Sequence, residues 1–193
     1  MDTQNVNHAE ALIERVKREV PSFNVIKRSD SRFLRTIFWP LQKVTGRTYG
    51  QYATTIFSTV YVPDDWDSWS PDRQYSLLRH EIMHIRQFWN WPFGPKAWWL
   101  NHFIVAFLYL LCLPAIWTIR AKFEREGYAQ SMLVHHELGW LTDVESEVKW
   151  IADTFSNSSY LWMWRRGPAE AWARQTIAAI QSGQIVNDAD RVD

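Results

Sequence analysis

The sequence predicts a single-domain α+β protein in which helices dominate and a small sheet precedes the central helix. Only 7 glycines and 8 prolines occur among 193 residues, and so few turn-forming residues favour long helices. Hydrophobic residues make up 47% and charged residues 22%, which is ordinary globular usage and excludes a wholly disordered chain. The length suits one domain over 1–193. We expect an N-terminal helix within 1–21 and a frayed tail over 184–193.

Charge and cysteine content narrow the function classes. Lysine and arginine number 21, as do aspartate and glutamate, so the net charge is zero. The absence of a basic block argues against nucleic acid as a partner, because phosphate contacts need clustered cations. Cys112 is the only cysteine, so no internal disulfide forms. The polar, acidic N-terminus is not a secretory signal, and we expect a cytoplasmic protein.

The first part of the chain predicts one helix followed by strands. Residues 8–19 place apolar side chains at near-helical spacing among charges, which predicts an amphipathic surface helix. Residues 23–27 predict a short strand, and 31–44 a short helix. Residues 52–62 form the best strand pattern in the chain, because they are rich in β-branched and aromatic residues and end at Pro63.

A strong helix start follows at Ser70. Ser70 supplies a side-chain cap, Pro71 suits the first helical position and Asp72 places an acid in the first turn. The predicted helix runs from about 71 to 90. Further helices are predicted over 115–137, 143–164 and 168–182, the last closed by Gly183.

The central helix carries an H-E-x-x-H pattern formed by His80, Glu81 and His84. Residues four apart on a helix share a face, so the two imidazoles can bind one Zn²⁺ at about 2.0–2.1 Å each. Glu81 can lean towards the water on the metal and act as general base and proton shuttle. The metal would lower the pKa of that water towards ~7 and polarise a substrate carbonyl.

A catalytic zinc needs three protein ligands and one open position, so a third ligand must lie elsewhere in the chain. Spacing alone leaves several downstream acids and histidines open. The candidates are His102, Glu124, Glu126, His135, His136, Glu137, Glu145 and Glu147.

Residues 124–128, which read EREGY, resemble part of the gluzincin branch of the zincin metallopeptidases. In that branch the third ligand is a glutamate on a second helix, followed three residues later by a small residue. The resemblance implies that Glu124 is the ligand, with Gly127 in the small position. Tyr128 departs from the pattern, since many gluzincins have there an aspartate that supports a ligand histidine.

The likeness extends upstream of the motif. The stretches TIFSTVYVP, LRHEIMHIRQ and FEREGY resemble small, uncharacterised bacterial and phage HExxH proteins over about residues 50–130. This resemblance implies a zincin-like fold, in which the strand Ala53–Val62 lines the substrate cleft. It also implies a metal site, but it indicates no substrate. The metzincin pattern fails, because Gln87 and Asn90 stand where it needs glycine and histidine.

Residues 97–119 contain no charged side chain and would span about 34 Å as a helix, enough for a bilayer core of about 30 Å. A single straight crossing would separate Glu124 from His80 and His84. A zinc site that uses Glu124 therefore requires this run to be buried or re-entrant, which we favour. If it spans, His102 becomes the third-ligand candidate.

Thirteen tryptophans are the main compositional oddity. Those at 140, 150, 162, 164 and 172 are predicted to pack in a helical core over residues 97–119. A Trp-rich surface that contacts a protein partner is the alternative.

His135, His136 and Tyr128 are candidate hydrogen-bond donors to a developing oxyanion.

The leading hypothesis is a zinc metallopeptidase that cleaves a peptide or protein substrate. His80, His84 and Glu124 would hold Zn²⁺, and Glu81 would activate water. The first alternative is a structural or interaction protein that keeps a zincin fold, such as a phage assembly component. The second is a protein associated with membranes through residues 97–119, in which the H-E-x-x-H pattern is fortuitous.

Overall fold

The computed structural model describes residues 7–32, 34–36, 53–90, 100–101, 104, 114–157 and 162–185. Helices dominate these residues and one three-stranded sheet accompanies them, which confirms the α+β class. The chain divides into two compact units, one that runs to Ile85 and one that begins at Arg86. The assignment of all 193 residues to a single domain stays a prediction.

Helix α1 (His8–Glu19) confirms the amphipathic helix predicted over 8–19. The Asn7 side chain caps it by accepting a hydrogen bond from a first-turn backbone N–H. Ala9, Leu12 and Val16 are buried along one face, because positions three and four apart share a side of a helix.

The sheet of the first unit contains β1 (Asn24–Lys27), β2 (Thr54–Ile56) and β3 (Thr59–Val62) in the order β1-β3-β2. Strand β3 pairs in parallel with β1 and antiparallel with β2. Val60 and Val62 are buried, since alternate residues of a strand point to the same face. Strand β1 confirms the prediction over 23–27.

The single strand predicted over 52–62 is wrong, because the chain folds back into a hairpin within it. Phe57 and Ser58 form the turn, and Ile56 pairs with Thr59. Phe57 has a φ of 55°, a left-handed conformation that such turns require and that favours Gly or Asn. The usual sequence signal of a tight hairpin is therefore missing.

Helix α2 (Pro71–Asn90) confirms the helix predicted over 71–90. The Ser70 hydroxyl accepts a hydrogen bond from a first-turn backbone N–H, as the cap assignment requires. The Gln74 side chain donates to the carbonyl of Trp66 at 2.8 Å and ties the start of the helix to the preceding 3₁₀ turn. The side chains buried along α2 include Leu78, Ile82 and Ile85.

The second unit contains α3 (Pro114–Glu137), α4 (Val144–Ser156) and α5 (Arg166–Gln181), and α5 packs against both other helices. Asp143 caps α4, and Gly183, at a φ of 73°, follows the end of α5 as predicted. The core of this unit includes Met132, Leu133, Val148, Ile151, Phe155, Ala173 and Ile177.

The helix predicted over 143–164 is too long, because α4 ends at Ser156. Asn157 is extended, and Trp162 has a φ of 49°. Polar residues follow Ser156 in the sequence, and short polar side chains compete for backbone hydrogen bonds and weaken a helix end.

The prediction that five tryptophans pack in a core is only partly correct. Trp164 and Trp172 do so, each with its ring 5.8 Å from the ring of Phe155. Trp140, Trp150 and Trp162 are instead 42%, 46% and 66% exposed. Trp150 lies off the face through which α4 buries Val148, Ile151, Ala152 and Phe155, so the periodicity of α4 directs it outwards.

Several predictions fall on residues outside the described ranges. They include most of the helix over 31–44, most of the uncharged run over 97–119, Cys112 and the tail beyond residue 185. Among the described residues, no helix combines the length and the apolar character needed to cross a bilayer.

Candidate metal centre

His80 and His84 occupy consecutive turns of α2 and present their rings to one another. Their Nε2 atoms lie 3.2 Å apart, and the ring centroids are 5.0 Å apart in an edge-on arrangement. Both side chains are buried. The spacing of four residues on α2, which Ser70 caps, produces this pair from local structure alone.

Glu124 on α3 is buried and joins the two histidines in one group of ligand atoms. One ligand atom from each of His80, His84 and Glu124 lies within 4.8 Å of the others. Among the described residues, this is the grouping of His, Cys, Asp and Glu side chains that could hold a metal ion. The structure therefore brings together the three residues named as metal ligands from the sequence.

The spacing of the two histidines suits a tetrahedral zinc site. Two nitrogen ligands at about 2.0–2.1 Å from zinc, with tetrahedral angles, would lie about 3.3 Å apart. The observed Nε2 separation of 3.2 Å agrees with that requirement. Two imidazoles and one carboxylate also match the ligand set of a catalytic zinc that keeps a fourth position for water.

Glu81 is held by the edge strand β2. The Thr55 hydroxyl donates a hydrogen bond to Oε2 of Glu81 at 2.6 Å, and the Glu81 side chain is buried. This bond restricts the rotamers of a carboxylate that directly follows His80 in the chain. The proposed base is thus fixed both by α2 and by a neighbouring strand.

Arg28 places a positive charge next to β2 and interacts electrostatically with Glu81. Its Nη2 donates to the Thr54 hydroxyl at 3.1 Å. Burial lowers the pKa of the Arg28 guanidinium, while attraction to Asp64 and Glu81 opposes that shift. Thr54 and Thr55, which are adjacent on β2, therefore bind the Arg28 guanidinium and the Glu81 carboxylate, respectively.

Other third-ligand candidates are engaged elsewhere. Glu126 accepts a hydrogen bond from the Gln87 side chain at 2.7 Å, and His135 pairs with Glu147 at 2.9 Å. Glu145 forms an ion pair with Arg174. His136 is exposed near the end of α3, Glu137 is partly exposed, and His102 lies outside the described residues.

The candidate oxyanion donors are also placed. Tyr128 is buried, with its ring 5.2 Å from that of Phe155 and 5.6 Å from that of Trp150. His135 lies beside Trp140, with ring centroids 5.7 Å apart. Tyr128 and His135 therefore pack against aromatic rings of the second unit. Their role in oxyanion binding stays a prediction.

Sequence reasoning missed three residues around the site. Thr55 contacts Glu81, Gln87 contacts α3, and Arg28 binds Thr54, the neighbour of Thr55 on β2. Thr55 lay in the strand predicted over 52–62, in which alternation would place it on the face opposite Val60. The hairpin instead pairs Thr55 with Val60 and puts both on one face, so the sequence pattern gave no signal for this contact. Gln87 lies three residues after His84, a spacing that returns to the same helix face. Arg28 carried no sequence signal, because its role depends on a contact with Thr54, 26 residues away.

Comparison with protein-family models, with curated proteins and with solved structures finds no match for this chain.

Proposed function

We propose that this protein is a zinc-dependent peptidase with a zincin-like arrangement of its active site. The observation that carries the proposal is the grouping of ligand atoms of His80, His84 and Glu124 within 4.8 Å of one another. Glu81 directly follows His80 in the chain. Three ligands, rather than four, are grouped among the described residues, which favours a site that retains one position for water.

The chemistry follows from the residue types. Zinc, when bound, would supply Lewis acidity and lower the pKa of a water molecule. Glu81 would accept a proton from the attacking water and then deliver it to the departing amine nitrogen. The hydrogen bond from Thr55 would hold the carboxylate in one orientation during both transfers. Burial of Glu81 and of the ligands reduces competition from bulk water.

A peptide is the substrate class that the neighbouring strand supports best. Strand β2 is one of the two outer strands of the described sheet, and Thr55 on β2 contacts the proposed base. An extended peptide can pair its backbone with the edge of a sheet. A segment paired along β2 would bring its carbonyl groups close to Glu81.

Metal analysis of the purified protein is the first test. We expect about one zinc per chain in the wild type and loss of zinc in His80→Ala. Glu81→Gln should keep zinc and lose peptide hydrolysis, because an amide cannot accept the proton from water. Glu10→Gln, on an exposed position of α1, is the matched control. A metal-free, folded wild type, or equal turnover in Glu81→Gln, contradicts the proposal.

A structural or interaction protein is the second candidate function. The exposed side chains of Trp140, Trp150 and Trp162 favour it, because large aromatic residues are enriched at protein interfaces. This alternative predicts stable zinc binding without turnover of any member of a peptide library.

Membrane association through residues 97–119 stays a prediction, and extraction with alkaline carbonate tests it.

A further inference from the structure

Gln87 extends the histidine face of α2 by one turn. It follows His80 by seven residues and His84 by three, and residues at these spacings share one side of a helix. Its side chain is buried, with 8% of its surface exposed. A buried amide must find hydrogen-bond partners, because leaving it without them costs free energy.

The Gln87 amide nitrogen donates two hydrogen bonds to α3. One reaches Oε2 of Glu126 at 2.7 Å, and the other reaches the backbone carbonyl of Phe123 at 3.1 Å. A primary amide has two N–H donors, so both bonds can form together. The carbonyl of Phe123 belongs to the peptide bond that leads directly into Glu124.

These contacts separate the roles of the two neighbouring acids of α3. Residues two apart on a helix lie about 200° apart around its axis, so Glu124 and Glu126 project in different directions. Glu126 is engaged by Gln87, whereas Glu124 joins the histidine pair. A helix rotated by one residue about its axis, about 100°, would break both bonds of Gln87 and move the Glu124 carboxylate.

We propose that Gln87 is a positioning residue of the metal site, an inference that rests on the proposed function. It fixes the rotation of α3 against α2 so that Glu124 is presented to His80 and His84, and it holds Glu126 away from the metal. Residues that orient metal ligands in this way typically change metal affinity by about 10- to 100-fold when they are replaced.

Gln87→Glu is the informative substitution. A carboxylate at this position has no N–H to donate and faces the carboxylate of Glu126. Without these bonds Glu124 is no longer held in place, and binding of Zn²⁺ should weaken by about tenfold or more, measured by competition with a chromophoric chelator. A purely electrostatic effect acts in the opposite direction, because an added negative charge near a cation strengthens its binding.

The double variant Gln87→Glu/Glu126→Gln exchanges acceptor and donor between the two helices. The amide introduced on α3 can then donate to the carboxylate introduced on α2, so we expect recovery of most of the zinc affinity. Recovery should be incomplete, because the bond to the Phe123 carbonyl stays absent. Gln175→Glu, on an exposed position of α5, adds the same charge away from the site and should leave affinity unchanged.

The visible absorption spectrum of bound Co²⁺ reports the geometry of the metal site, which a change in folding stability alone would not alter. We expect weaker visible absorption bands for Gln87→Glu than for the wild type, as the metal geometry departs from tetrahedral, and a wild-type spectrum for Gln175→Glu. Gln87→Leu removes both donors without adding charge and serves if Gln87→Glu does not fold.

Three outcomes overturn the inference: wild-type or tighter zinc affinity in Gln87→Glu, wild-type affinity in Gln87→Leu, or no recovery in the double variant. If the wild type itself binds no zinc, the proposed function fails first. If the wild type binds zinc and the Gln87 variants match it, only the positioning role is wrong.

Discussion

The hydroxyl of Thr55 lies 2.6 Å from Oε2 of Glu81, so a side chain from the edge strand controls the orientation of the proposed general base. The two residues are 26 positions apart in the chain. This contact links β2, where a peptide would bind, to the carboxylate that would activate water.

Replacement of Thr55 should disturb the orientation of Glu81 without affecting metal binding. In Thr55→Val the shape is kept and the hydrogen bond is lost. We expect kcat for peptide hydrolysis to fall by about 10- to 100-fold, because Glu81 is then free to leave its reactive geometry. Zinc content should stay at the wild-type level. Thr55→Ser keeps a hydroxyl and should retain most activity, and a large loss there would contradict the role of the bond.

Zinc should stabilise the folded protein through Glu124. A ligand at 100 times its dissociation constant adds about 2.7 kcal/mol to the free energy of unfolding. We expect the melting temperature to rise on addition of zinc in the wild type and to rise much less in Glu124→Gln, measured by calorimetry. Glu126→Gln is the matched control, because its amide oxygen can still accept the bond from Gln87. An equal loss in both variants would remove the assignment of Glu124.

The cap of α4 should make stability depend on pH. Hydrogen bonds from the Ser146 side chain and backbone lower the pKa of Asp143 below its ordinary value of 3.8. A carboxylate with a lowered folded pKa stabilises the fold above its ordinary pKa, and that contribution disappears as the pH falls through the folded pKa. Asp143→Ala should therefore melt a few degrees below the wild type at pH 7, and the gap should narrow below about pH 4.

Asp143→Asn is the control for this prediction, because asparagine caps a helix without a titrating group. Its melting temperature relative to Asp143→Ala should vary little with pH. A gap between Asp143→Ala and the wild type that is the same at pH 3 and pH 7 would show that ionisation of Asp143 does not contribute.

Phe155 should be a main source of stability in the second unit. It is fully buried and contacts the rings of Tyr128, Trp164 and Trp172. Phe155→Ala should lower the free energy of unfolding by about 3–5 kcal/mol, measured by urea denaturation with tryptophan fluorescence. Trp150→Ala, at a half-exposed position of the same helix, should cost far less. Similar costs for the two would contradict the described core.

Much of the site could be predicted from local sequence. The spacing of His80 and His84 and the cap at Ser70 determine that both imidazoles share a helix face, because the period of an α-helix is a local property. Glu124 was one of several third-ligand candidates by spacing, and only a family resemblance singled it out. The structure groups it with the histidines, while Glu126 binds Gln87.

Amino-acid sequence alone determined the helix that carries the motif, its start, and the chemistry that two histidines and a glutamate can perform. Tertiary structure decided which distant side chains reach that helix: Thr55 contacts Glu81, Glu126 contacts Gln87, and Glu124 lies beside the histidines. It also decided that residues 52–62 turn at Phe57, a conformation for which a phenylalanine gives no local signal. The reason is physical, since helix periodicity and capping act within a few residues, whereas hydrogen bonds between elements depend on how the whole chain packs.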